Sequence, residues 1–101
     1  MTTPEIDITW DPVKAISNIA SHGVTFAQAA MVLDDPLALT VFDAGHSETE
    51  ERWFTLGVSG GKLLAVSHTY KMTDPDSAQV RIISARNATR REREQYENEL
   101  R

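Results

Sequence analysis

The 101-residue sequence contains no cysteine, so it can form neither a disulfide bond nor a thiolate metal site. It has no apolar stretch long enough to span a membrane, and its first residues lack the basic start and apolar run of a signal peptide. We therefore expect a soluble, cytoplasmic protein. The chain length predicts one domain covering residues 1–101.

Basic residues are also scarce, with ten Lys and Arg against fifteen Asp and Glu, which gives a formal net charge of −5. An acidic balance argues against a nucleic-acid-binding protein. The charges are unevenly distributed, however. Residues 43–51 hold acids and no Lys or Arg, whereas residues 81–93 hold the arginines Arg81, Arg86, Arg90, Arg91 and Arg93. A local arginine field is therefore available to an anionic partner.

The hydrophobic pattern predicts an α+β fold. Alternating apolar residues indicate five strands, at residues 6–10, 38–43, 52–58, 62–69 and 79–85. Helix-start signals predict three helices, which open at Asp11-Pro12, Thr25 and Thr89. Ser59-Gly60-Gly61 is a hairpin signal, and residues 70–77 are predicted to form a turn-rich loop. The order strand, helix, helix, four strands, helix predicts a mostly antiparallel sheet with the helices packed on one face.

The first predicted helix carries two stripes at helical spacing. The apolar stripe, which is predicted to face the core, consists of Val13, Ile16, Ile19 and Ala20. The polar stripe consists of Lys14, Asn18, Ser21 and His22. Periodicity alone favours a solvated role for the polar stripe, although its amine and imidazole are also candidate functional groups.

Two strand positions carry candidate functional groups. Arg52 heads an apolar face of the third strand, and His68 shares an apolar face of the fourth strand with Val66. Arg52 is either a site residue or the surface partner of an adjacent glutamate. His68 is either an acid–base group or a hydrogen-bonded histidine at the edge of the core.

Arg81 and Arg86 flank the apolar part of the last strand. Strict alternation places them on opposite faces of the sheet, so both can line one cleft only if the strand ends by Ala85. We expect Arg86 to lie past the strand end and to move freely. The alternative is that both are rim arginines that hold carboxylates of the last helix.

The sequence has no recognised metal-ligand spacing, Gly-rich phosphate loop or nucleophile elbow. A weaker hypothesis is a metal-binding loop formed by His46, Glu48, Glu50 and Glu51, although a solvated acidic loop is the favoured interpretation.

Arginines and histidines suit one reaction that needs neither a metal nor a covalent intermediate with the protein. RNA can be cleaved through its own 2′-hydroxyl when a base removes the hydroxyl proton, an acid protonates the leaving oxygen and cations stabilise the phosphate. Arginine suits the phosphate role because its planar fork stays charged and binds oxygens in pairs. The residue types permit this chemistry without requiring it.

Two separated motifs resemble the BrnT family of toxins. The first runs through Trp10-Asp11-Pro12-Val13-Lys14, Asn18, His22-Gly23-Val24-Thr25-Phe26 and Asp34-Asp35-Pro36. The second is Arg81-Ile82-Ile83-Ser84-Ala85-Arg86, followed by Ala88-Thr89, Glu92 and Tyr96. Glu51-Arg52 and the strand with His68 fit the middle, so the resemblance covers nearly the whole chain.

This resemblance implies a RelE-like fold and a ribosome-independent ribonuclease toxin. With the residue chemistry described above, we expect a metal-independent endoribonuclease with no cofactor. It also implies a BrnA-type antitoxin partner that binds DNA, so that the toxin meets DNA only indirectly. By the same resemblance the active-site candidates are Lys14, His22, Arg52, His68, Arg81 and Arg86. The arginines would hold the phosphate, and His22 or His68 would act as acid or base. The alternative is a catalytically weak or inactive module that pairs with the antitoxin, which is expected to contact the arginine-bearing surface.

Overall fold

The structure, a computed structural model, describes residues 5–46 and 49–99. The strands are β1 Glu5–Trp10, β2 Leu39–Phe42, β3 Arg52–Ser59, β4 Lys62–Thr69, β5 Lys71–Asp74 and β6 Ser77–Asn87. The helices are α1 Pro12–His22, α2 Phe26–Val32 and α3 Arg90–Glu99, with a 3₁₀ turn at Ala44–His46. The predicted α+β class is confirmed. No described helix is long and apolar enough to cross a bilayer.

The six strands form one mixed sheet with the order β1-β6-β4-β3-β2, and β5 pairs with β6. The pairing of β1 with β6 is parallel and the other pairings are antiparallel. The predicted loop at residues 70–77 therefore contains a strand that the sequence pattern missed. All four residues of β5 are exposed, so no apolar alternation marks this strand.

Local signals set the helix ends as predicted. Asp11 accepts a hydrogen bond from the backbone N–H of Val13 at 2.9 Å, and Gly23, at φ 68°, closes α1. Thr25 and Gln28 form a reciprocal capping box at the start of α2. The β3–β4 hairpin also forms, and its two turn glycines both have positive φ.

The sheet separates two apolar clusters. One contains Val24, Phe26, Ala29, Val32, Leu64, Val66, Ile82 and Ala85, and Ala15 of α1 packs against it. The other contains Leu56, Leu63, Ala65 and Tyr96. Neighbouring residues of a strand point to opposite faces of the sheet. Leu64 belongs to the first cluster and its neighbour Leu63 to the second, so the two clusters lie on opposite sides of the sheet. The prediction that all helices share one face is wrong, since α3 packs on the side opposite α1 and α2.

Helix α1 is also turned the other way from the prediction. The side chains expected in the core, Val13, Ile16, Ile19 and Ala20, are exposed, with Val13 at 71% and Ile16 at 70%. Asn18, expected on the solvated stripe, is only 6% exposed. The helix therefore presents an amide to the sheet and its branched apolar side chains to the outside.

The reason lies at the edge of β6. Strand β1 ends at Trp10, opposite Ile82, so the rest of β6 has no strand neighbour on that side. Asn18 fills the gap by accepting a hydrogen bond from the Ala85 N–H at 3.0 Å and donating one to the Ala85 carbonyl at 2.8 Å. Its second amide hydrogen goes to the Val24 carbonyl at 2.8 Å. A buried strand edge requires such partners, which fixes the rotation of α1.

Candidate functional site

A β-bulge in β6 decides which face carries its arginines. The pairing register with β4 shifts between Ser67 and His68, so that Ile82 and Ala85, three residues apart, both face the same apolar cluster. Their neighbours Arg81 and Arg86 therefore both project from the opposite face. The strict alternation assumed from the sequence is wrong at this point.

The three candidate arginines share that face of the sheet. Arg52 lies opposite Thr69, whose hydroxyl accepts a hydrogen bond from the backbone N–H of Arg81 at 3.0 Å. Arg86 places its guanidinium carbon 5.6 Å from the centre of the Phe54 ring. We call the surface formed by Arg52, Arg81 and Arg86 the arginine face.

Glu50 links two of these arginines. Its Oε1 lies 2.5 Å from Nη2 of Arg81 and 3.9 Å from Nη2 of Arg52. The ion pair weighed for Arg52 is thus present, and it includes an arginine from a distant strand. Glu50 and Arg81 also line a cavity of about 500 Å³ together with Thr69, Tyr70 and Lys71. The sequence pattern gave no sign of this link because it depends on the β4–β6 pairing.

Arg86 has a carboxylate partner of its own. It donates two hydrogen bonds to Glu92, at 2.7 and 3.0 Å, and Glu92 also forms the predicted capping box with Thr89. The hydrogen bond from Arg86 lowers the pKa of Glu92, and the same bond raises the pKa of Arg86. The prediction that Arg86 lies beyond the strand is wrong: it lies inside β6 and holds a carboxylate of the last helix. The alternative, in which both arginines hold carboxylates of that helix, is right for Arg86 only, because Arg81 pairs with Glu50.

His68 is buried on the opposite face from the arginines. Its Nδ1 lies 3.0 Å from the Thr69 carbonyl, and its Nε2 lies 2.7 Å from the Thr55 hydroxyl. Because a carbonyl only accepts, Nδ1 carries the proton and Nε2 accepts from Thr55. Burial lowers the pKa of His68, although the bond to Thr69 opposes that change. This geometry matches the hydrogen-bonded histidine at the edge of the core.

Lys14 and His22 lie together on α1. They line a shallow pocket of about 170 Å³ with Asn18 and with Ile83 of β6. The structure thus groups the six candidates into three places: the arginine face, the buried position of His68 and the pocket on α1. Lys14 and His22 do not line the cavity that Glu50 and Arg81 share.

The weaker hypothesis of a metal-binding loop is only partly within the described structure. Glu48 and the side chain of His46 lie outside the described residues. Within residues 5–46 and 49–99, no three His, Asp or Glu side chains are grouped so as to hold a metal ion.

The family described as "Ribonuclease toxin, BrnT, of type II toxin-antitoxin system" matches residues 10–92. This span is well over half of the chain and contains all six candidate site residues. No curated protein matches the chain.

Proposed function

The chain belongs to the BrnT family of ribonuclease toxins of type II toxin–antitoxin systems, and we propose that it cleaves RNA internally, without a metal ion, through the ribose 2′-hydroxyl. Membership in such a system implies an antitoxin partner. The reaction attacks the phosphate from within its own ribose, so the protein must stabilise extra negative charge and move protons.

The observation that carries the proposal is the convergence of Arg52 and Arg81 on one anionic oxygen. The oxygen belongs to Glu50, and the two guanidiniums reach it from β3 and β6. A phosphate oxygen can be recognised in the same way, by a charge-assisted hydrogen bond from Arg81 and the charge of the nearby Arg52. Arg86 adds positive charge on the same face once its bond to Glu92 is shared or exchanged.

The resemblance offers two histidines for acid–base work. Of these, His22 is exposed, beside Lys14, whereas His68 is buried with both ring nitrogens hydrogen-bonded. We assign His68 a structural role and retain Lys14 and His22 as candidates for binding RNA at the pocket on α1, which is separate from the arginine face.

The partner that we propose is a BrnA-type antitoxin acting on the arginine face. An acidic or amphipathic segment laid there would bury the groups that RNA needs, and its charge would complement the arginines. DNA would be bound by the antitoxin alone. We propose that the protein acts on RNA in the cytoplasm. Replacement of Arg81 by Glu is expected to weaken the complex, and an unchanged affinity would contradict this surface.

A second candidate function is a binding module with little or no catalysis. The observation that favours it is that Glu50 and Glu92 already occupy the three arginines. Growth after forced expression separates the two functions. Arrest that is relieved by the antitoxin supports the ribonuclease, whereas unaffected growth supports the module.

The direct test is cleavage of total RNA by the purified protein in the presence of EDTA. We expect products with 2′,3′-cyclic phosphate and 5′-hydroxyl ends, and a loss of about 10²–10³-fold in rate for Arg81→Ala. The matched control is Arg90→Ala, because Arg90 is 94% exposed and its only described ion pair is the 3.6 Å contact with Glu94 on α3. No cleavage by the wild-type protein across pH 6–9 would overturn the proposal.

A further inference from the structure

We propose that Glu50 is the general base that removes the proton from the attacking 2′-hydroxyl, an inference that rests on the proposed RNA cleavage. No sequence motif marks this residue, and the resemblance to the toxin family offered histidines for the role. The case for Glu50 comes from its position relative to the arginines and the cavity.

Glu50 lies where a base for this reaction must lie. A base has to reach the nucleophile while the arginines hold the phosphate that the nucleophile attacks. The Glu50 carboxylate is within 3.9 Å of guanidinium nitrogens from both Arg52 and Arg81. A phosphate held by the same two side chains would therefore lie next to this carboxylate.

The cavity beside Glu50 has a suitable size and lining. Its volume of about 500 Å³ falls within the range of roughly 300–1,000 Å³ that is usual for small-molecule sites. Thr69, Lys71 and Gln79 line it with hydroxyl, ammonium and amide groups. Such a lining can hydrogen-bond a ribose and a phosphate, and the Glu50 side chain is 35% exposed to it and to solvent.

The described histidine positions are less suited to the reaction. His68 is on the other side of the sheet, and its ring nitrogens bond Thr55 and the Thr69 carbonyl. His22 lines the pocket on α1, with Ile83 rather than an arginine of the sheet. A carboxylate is an established type of general base, so a histidine is not required.

The 2′-hydroxyl proton passes to the Glu50 carboxylate while the 2′-oxygen forms a bond to phosphorus. The bond from phosphorus to the 5′-oxygen breaks, and that oxygen takes a proton from water. The hydroxide so formed is neutralised by the proton held on Glu50, which restores the carboxylate and leaves a 2′,3′-cyclic phosphate and a 5′-hydroxyl.

The test compares Glu50→Gln with wild type in two assays. One measures cleavage of a defined RNA in EDTA, and the other measures binding of the same RNA with methylated 2′-oxygens, which cannot react. We expect the cleavage rate at saturation to fall about 10²–10⁴-fold, the usual contribution of a general base, with binding unchanged or tighter. Glu50→Asp, which keeps a carboxylate, should cleave faster than Glu50→Gln.

The control is Glu94→Gln, which removes a carboxylate from an exposed pair with Arg90 on α3 and should behave as wild type. Faster cleavage by Glu50→Gln would make Glu50 an inhibitory latch and overturn the proposal, as would unchanged cleavage. An equal loss of binding and cleavage would show a positioning role only and overturn it too. If Arg81→Ala is inactive while Glu50→Gln is fully active, the inference fails and the proposed function stands. An inactive wild-type protein ends both.

Discussion

Asn18 hydrogen-bonds the backbone of Ala85 in the way that a neighbouring strand would. Its side-chain amide meets both the N–H and the carbonyl of Ala85, at 3.0 and 2.8 Å, and the two residues are 67 positions apart in the sequence. The donor and acceptor of a primary amide match the paired groups of a strand edge. This relationship joins α1 to β6 at the point where β1 no longer covers the strand.

The first prediction concerns this contact. Asn18→Leu leaves the two polar groups of Ala85 and the Val24 carbonyl without their partner, and each unpaired buried group costs about 1–3 kcal/mol. We expect the free energy of unfolding in urea to fall by about 3 kcal/mol or more. The control Ile16→Gln, at a side chain 70% exposed, should change it by no more than about 0.5 kcal/mol. A larger loss for Ile16→Gln than for Asn18→Leu would show that α1 faces the sheet with its apolar stripe.

The second prediction concerns Asp35, whose carboxylate bonds both the end of β3 and a tyrosine of α3. Its carboxylate accepts hydrogen bonds from the Val58 N–H at 2.8 Å and the Tyr96 hydroxyl at 2.7 Å. Burial raises the pKa of Asp35, but the bonds from Tyr96, Val58 and Leu37 outweigh burial and lower it overall. The bond to Asp35 is also the main reason that the pKa of Tyr96 rises to about 12.

Phenolate absorbance measures the raised pKa of Tyr96 directly, because the chain has only two tyrosines. One should ionise near pH 12, and Asp35→Asn should bring that titration down toward the ordinary value of about 10. A pKa raised in the folded state adds stability that is complete below about pH 10 and is lost as the pH rises toward 12. Asp34→Asn, a change at the exposed neighbouring residue, serves as the control. The absence of a tyrosine that ionises near pH 12 in the wild-type protein would contradict the contact.

The sequence predicts the parts of this fold that depend on neighbouring residues. The Asp11 and Thr25 caps, the glycine turn and the α+β class follow from short-range chemistry. The rotation of α1 does not. Hydrophobic periodicity counts apolar side chains, whereas the helix is oriented by the hydrogen-bonding needs of a strand edge far along the chain.

The candidate site shows the same division. Arg52, Arg81 and Arg86 could be predicted as site residues from their charge and from the resemblance to the toxin family. They share a face because of the bulge near Ile82, beyond which the side chains of β6 point to the opposite faces from those that strict alternation predicts. No pattern of residue types in the sequence marks this bulge. The contact of Glu50 with Arg81 spans 31 positions and needs both the bulge and the strand order, so local patterns cannot predict it.

The third prediction concerns the pair of Arg86 and Glu92. The pair is bidentate, but the Arg86 side chain is 39% exposed, so solvent weakens the attraction. A double-mutant cycle with Arg86→Ala and Glu92→Gln should give a coupling free energy of about 1 kcal/mol. Glu92→Ala should cost about 1 kcal/mol more than Glu92→Gln, because glutamine keeps the capping box with Thr89.

The exposed pair of Arg90 and Glu94 provides the comparison for this cycle. Its atoms are 3.6 Å apart at i,i+4 spacing on α3, so its coupling should stay below about 0.5 kcal/mol. The pKa of Glu92 is lowered, chiefly by the bond from Arg86, so its share of the stability is present at neutral pH and lost in acid. Equal coupling for the two pairs would mean that Arg86 is not held at the start of α3.

The last prediction separates a structural from a catalytic role for His68. Burial lowers its pKa in the folded protein, whereas an unfolded histidine titrates near 6.5. Below about pH 6.5 the unfolded chain binds the proton more readily, so the free energy of unfolding should decrease as the pH falls from 6.5 toward the lower folded pKa. His68→Gln should be less stable at pH 7, because the bond to Thr55 is lost or changed, and its stability should depend less on pH below about 6.5. Cleavage per folded molecule should remain within a few-fold of wild type, since the ring lies on the face opposite the arginines. A fully folded His68→Gln protein whose cleavage is lost would instead make His68 part of the catalytic machinery.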